Sequence, residues 1–130
     1  MDHLLVWMGI IAIATIPGVM EPPVRSLDSR ITEMVGRLVQ ASQPEQIILF
    51  GSRARGTARP DSDVDFLVVM PLRKPRRRLE GDLHAAVAGS ELSKDIVVVT
   101  PEELERFRHV PGTVVEPALE SGLVVYRRAA

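Results

Sequence analysis

The chain has no cysteine, so disulfides and thiolate-bound metals are excluded, and a reducing, cytoplasmic setting is the expected one. Aromatic residues make up only 4%, with one Trp and one Tyr, so the core must be aliphatic. An excess of one charge is also lacking. Sixteen Lys and Arg face seventeen Asp and Glu, and no global field draws the chain to nucleic acid. Long apolar runs are missing as well. The most apolar stretch, residues 4–16, is short of the roughly 20 residues a membrane-spanning helix needs, so no membrane role is expected. Its Ala12-Ile13-Ala14 resembles a signal-peptide cleavage site, but Asp2 precedes it and no Lys or Arg appears before Arg25. A helix docked on a partner is a further reading of this stretch. Residues 1–23 are read as an apolar extension, with Met20 an alternative start; residues 24–127 as one domain of ordinary size; and 128–130 as a tail.

What is present centres on Ile47 to Met70, IILFGSRARGTARPDSDVDFLVVM. Ile47 to Phe50 is short, β-branched and aromatic, and suits a buried strand. Gly51 permits a sharp turn, and Ser52 is expected to cap a short helix through Arg55. Free N–H groups at such a helix start suit a phosphate. Gly56, Pro60 and Asp61 mark a loop, and Val64 to Met70 is a second strand. Asp63 and Asp65 stand two residues apart, so alternation points both carboxylates the same way. Paired acids repel unless a cation joins them, and Mg²⁺, which takes oxygen ligands and shares them with phosphates, is the natural one.

Around this centre the pattern alternates. Pro22-Pro23 precedes a helix from Ser26 to about Ala41, whose apolar stripe is Leu27, Ile31, Met34, Val35, Leu38 and Val39. The run RKPRRR, Arg73 to Arg78, leads into a helix over Leu79 to Ala88; it is either a solvated face or a grip for RNA or triphosphate. It lacks the interleaved aromatics of stacking surfaces, so RNA binding is the weaker reading. Asp95 to Val99 is a third strand that opens on an acid. Thr100-Pro101-Glu102-Glu103 is a helix start with a capping box, with Leu104 and Phe107 facing inward. A short helix over Thr113 to Leu119 and a last strand, Leu123 to Tyr126, complete the chain. His3, His84 and His109 have no zinc-binding spacing and read as surface residues. Strands joined by helices, with acids at strand starts, indicate an α/β (α+β) fold with a small mixed sheet.

Gly51-Ser52, the ten residues Arg53 to Ser62, and Asp63-Val64-Asp65 resemble the signature of the DNA-polymerase-β-like nucleotidyltransferases, specifically their minimal (MNT) group. The resemblance covers about residues 24–127 and implies a palm-like core. Asp61 shares the parity of the two acids, and it is the family pattern that leaves it in the loop. The resemblance assigns Gly51 and Ser52 to the β- and γ-phosphates of a nucleoside triphosphate, and Asp63, Asp65 and Asp95 to two Mg²⁺ ions. Asp82, Glu80 and Glu91 are less suited, because they fall on or beside a helix. Either Arg53 or Arg55 is expected to neutralise phosphate charge, and Arg53 is favoured. Larger relatives carry an added acceptor-binding domain, whereas little chain remains here after the third strand. The resemblance therefore implies the antitoxin of a HEPN/MNT toxin–antitoxin pair, moving AMP from ATP to a tyrosine of the HEPN partner. Two alternatives stay open: an antitoxin that inhibits a HEPN ribonuclease by binding alone, and a small-molecule or RNA nucleotidyltransferase with a separate acceptor-binding subunit.

Overall fold

In the computed structural model, residues 18–19 and 27–129 are described; the apolar stretch 4–16 and His3 lie outside them. The elements are β1 (Gly18–Val19), α1 (Ser29–Ser42), β2 (Gln46–Phe50), α2 (Ser52–Arg55), β3 (Val64–Val69), α3 (Arg76–Ala86), β4 (Lys94–Val99), α4 (Pro101–Arg106), α5 (Val115–Ser121) and β5 (Leu123–Arg128). The strands form one mixed sheet in the order β1-β5-β2-β3-β4. Among the described strands only β3 and β4 run parallel, with α3 as their crossover; the other neighbours are antiparallel. The mixed α/β architecture is the expected one.

The first helix begins three residues later than the sequence suggested. Asp28 precedes its first turn and accepts the Arg30 N–H at 2.9 Å, and Ser26 lies outside the described residues. The Asp28 carboxyl is held down at about 2, chiefly by its hydrogen bond to the Arg30 side chain. The apolar stripe behaves as expected: Ile31, Met34, Val35, Leu38 and Val39 are all buried. Each such side chain contributes about 1.5–3 kcal/mol by leaving water.

Alternation divides the sheet into two faces. Val64, Phe66 and Val68 of β3 pack with α1 and with Leu79 and Leu83 of α3. Leu67 and Val69 pack on the other side with Leu104 of α4 and Val115 and Ala118 of α5. The acids of the motif share the parity of Leu67, so Asp65 belongs to the α4–α5 side. Helices α4 and α5 cover the far part of that face, and Phe50, Val97 and Phe107 are only partly buried beside it.

The capping box of α4 forms as expected. Thr100 Oγ1 accepts the Glu103 N–H at 3.1 Å, and Glu103 accepts the Thr100 N–H at 3.0 Å. The last strand reaches Arg128, and Gly18 and Val19 pair with Arg128 and Arg127. Among the described residues no helix is long and apolar enough to cross a membrane.

Candidate active site

Gly51 follows β2 with φ +78° and ψ −161°, a backbone conformation that suits glycine. It therefore serves as the N-cap of α2, and Ser52 is the first helical residue rather than the cap. The Gly51 carbonyl accepts the N–H groups of Ala54 and Arg55 at 3.0 and 3.1 Å. The N–H groups of Ser52 and Arg53 have no acceptor among the described residues.

This turn lies directly against the acids. Phe50 is the ladder partner of Asp65 across β2 and β3. A Cβ added at Gly51 would collide with Asp65 Oδ2 and stand 3.3 Å from its Cγ. The glycine thus serves close approach to a carboxylate of the chain itself, in addition to the turn.

On the opposite side of β3, Asp65 pairs with Asp95 in the parallel ladder. Asp63 precedes the strand by one residue; it and Asp95 are exposed, while Asp65 is half-buried. The Asp65 carboxyl is raised above its ordinary range, first by burial, then by the charges of Asp95 and Asp63, and is opposed by Arg55. Asp95 and Asp63 therefore each act on Asp65. Among the described residues, however, no group of three acids or histidines is gathered closely enough to hold an ion as it stands. The chemistry of the donors still fits a divalent cation, since hard oxygens that repel one another are what Mg²⁺ relieves.

The two arginines of α2 separate. Arg53 is turned to the loop: its Nη2 donates to the carbonyls of Ser62, Pro60 and Arg59 at 3.0, 3.3 and 3.4 Å. Arg55 is exposed, and its positive charge acts on Asp65. Sequence reasoning favoured Arg53 for the phosphates; the loop's path, which no local pattern reveals, occupies its guanidinium.

The basic run lies elsewhere. Both acid-bearing strands start at one end of the sheet, and the run follows the end of β3, about 20 Å away along a six-residue strand. Arg76 donates Nε to the Val98 carbonyl at 3.1 Å and Nη2 to both Glu103 oxygens at 2.7 Å. Glu80 accepts the Val98 N–H at 2.9 Å, so α3 covers the exposed edge of β4 there. Arg73 donates to the Ser42 carbonyl and Lys74 pairs with Asp82. Arg77 and Arg78 are exposed. The acids set aside on sequence grounds are likewise engaged in the scaffold: Glu80 at Val98, Asp82 at Lys74 and Glu91 at Arg30. His84 and His109 are exposed.

Among curated proteins, none matches this chain in sequence. A solved structure of a protein from Sulfolobus solfataricus, assigned as a nucleotidyltransferase, superposes with a TM-score of 0.54 at 22% identity, covering 76% of this chain and 78% of the other. A toxin–antitoxin structure with AMP-PNP gives 0.46 at 22% identity, over 71% of this chain and 69% of that one. The nucleotidyltransferase domain family matches residues 30–125, a span that holds the Gly51-Ser52 turn and all three acids. This chain belongs to the nucleotidyltransferase domain family.

Proposed function

We propose that the protein transfers AMP from ATP to a hydroxyl acceptor in a Mg²⁺-dependent reaction, and that the acceptor is a tyrosine of a partner HEPN toxin, to which this chain is the antitoxin. The observation that carries the catalytic reading is the position of Asp65. It lies between the Gly51 turn and Asp95, with Asp63 close enough to raise its carboxyl. The MNT-type spacing of Gly51-Ser52 and Asp63-Val64-Asp65 supports the antitoxin reading.

In this reading the free N–H groups of Ser52 and Arg53 and the Ser52 hydroxyl bind the β- and γ-phosphates. Arg55, exposed beside Asp65, neutralises phosphate charge. Asp63, Asp65 and Asp95 would hold two Mg²⁺ ions, which when bound offset the charge on the attacking and leaving oxygens. Asp95, exposed at the strand start, takes the proton of the acceptor hydroxyl. The acceptor oxygen bonds to the α-phosphorus, the bond to the β-phosphate oxygen breaks, and pyrophosphate leaves.

The test is incubation with Mg²⁺, labelled ATP and the product of the adjacent gene, followed by intact-mass analysis of both polypeptides. A gain of AMP on the partner, lost in the Asp63→Asn, Asp65→Asn double variant, is expected. Tight complex formation with no mass change would sink protein AMP transfer and favour a binding antitoxin.

A further inference from the structure

We propose that Arg53 is a positioning residue: its guanidinium holds the Arg59–Ser62 turn and thereby fixes Asp63 relative to the Gly51-Ser52 turn. The inference rests on the nucleotidyltransferase reading and deepens it. Gly56 and the loop after it separate the phosphate-facing turn from the acids, and such a segment needs something to hold its path. Arg53 reaches across it with four hydrogen bonds to three main-chain carbonyls of the Arg59–Ser62 turn. Nε meets the Ser62 carbonyl at 3.3 Å, and Nη2 meets those of Ser62, Pro60 and Arg59.

The turn is also closed on itself. Ser62 Oγ accepts the Arg59 N–H at 2.7 Å, and the Ser62 N–H donates to the Arg59 carbonyl at 3.0 Å. Ser62 is bonded directly to Asp63. On the other side of Asp63, the Val64 N–H donates to the Ser93 carbonyl at 2.8 Å, two residues before Asp95. Asp63 is thus flanked by a tie to α2 and a tie to the entry of β4. An arginine suits the first tie because its planar fork reaches several carbonyls at once, whereas a lysine ammonium presents a single point.

Arg53→Met, Arg53→Lys and Arg55→Met, each compared with the wild type, separate this role from direct phosphate contact. The readouts are amide hydrogen exchange over residues 57–63, binding of a non-hydrolysable ATP analogue in EDTA, and Mn²⁺ affinity by electron paramagnetic resonance without nucleotide. Arg53→Met is expected to weaken Mn²⁺ about tenfold, as loss of a support behind a metal ligand does. Its exchange over 57–63 should rise about tenfold. Its metal-free nucleotide affinity should stay within about twofold of wild type. Arg55→Met should show the reverse, weaker nucleotide and unchanged exchange. If Arg53→Met fails to fold, Arg53→Lys is read by the same three criteria. Loss of metal-free nucleotide binding in the Arg53 variant with unchanged exchange would overturn the proposal. A wild type that binds neither Mn²⁺ nor nucleotide would overturn the nucleotidyltransferase reading instead, and the exchange data alone would then judge the tie.

Discussion

Asp65 and Asp95 are ladder partners in the only parallel strand pair among the described residues, and their carboxylates lie on the same side of the sheet. Adjacent parallel strands are about 4.8 Å apart, so two like charges are held together by backbone geometry. The main-chain pairing maintains a repulsion that the side chains would otherwise relax. In the nucleotidyltransferase reading proposed above, the pair is kept because a bound cation would relieve that repulsion.

The first prediction concerns that repulsion. The Asp65 carboxyl is raised in the fold by burial and by Asp95 and Asp63, so the ionised form is the disfavoured one. The penalty is fully present above the raised value and fades as pH falls toward the ordinary aspartate value of about 4. Asp65→Asn should therefore be more stable than wild type at pH 7.5 in EDTA. The gain is at most about 1 kcal/mol, because solvent screens this half-exposed group. Denaturant unfolding at pH 7.5 and at pH 4 would measure it, and a gain that persisted unchanged at pH 4 would contradict the electrostatic cause. Mg²⁺ should raise the melting temperature of wild type and not of the variant.

Gly51→Ala tests the close approach of the turn. The new methyl would meet Asp65 Oδ2 and force a non-glycine residue to φ +78°, ψ −161°. Backbone strain of this kind costs about 1–3 kcal/mol. The variant should unfold at lower denaturant and bind the ATP analogue less well. An unperturbed binding curve would argue against the turn as part of the site.

Glu103 tests the scaffold at the other end of the sheet. Its carboxyl is held below the usual range, first by the Thr100 N–H and then by Arg76, against a desolvation cost. A lowered carboxyl stabilises the fold above the ordinary glutamate value, and that contribution is lost as pH falls through the lowered one. Glu103→Gln should cost about 1–2 kcal/mol at pH 7, with the difference from wild type shrinking below about pH 4. Arg76→Met should be non-additive with it, since the two share one hydrogen-bonded contact. Strict additivity in the double variant would show that the pair does not act as a unit.

The sequence by itself determined the parts that depend on neighbours along the chain. Gly51-Ser52 and Asp63-Val64-Asp65 are legible because a turn and a strand entry are local structures, and the parity of Asp65 with Leu67 follows from strand alternation. The stripe of α1 and the capping box at Thr100 and Glu103 are local for the same reason. Tertiary structure decided the rest. Asp95 meets Asp65 only because α3 returns the chain in parallel register, which no spacing encodes. Arg53 and Arg55 sit on one four-residue helix, and the loop's carbonyls, brought back in space, give the two guanidinium groups different surroundings. Arg76 joins the scaffold because the edge of β4 leaves Val98 in need of partners. Local propensity is set by residues a few positions apart, whereas charge and hydrogen-bond partners are set by distance in space, and for these residues the two diverge.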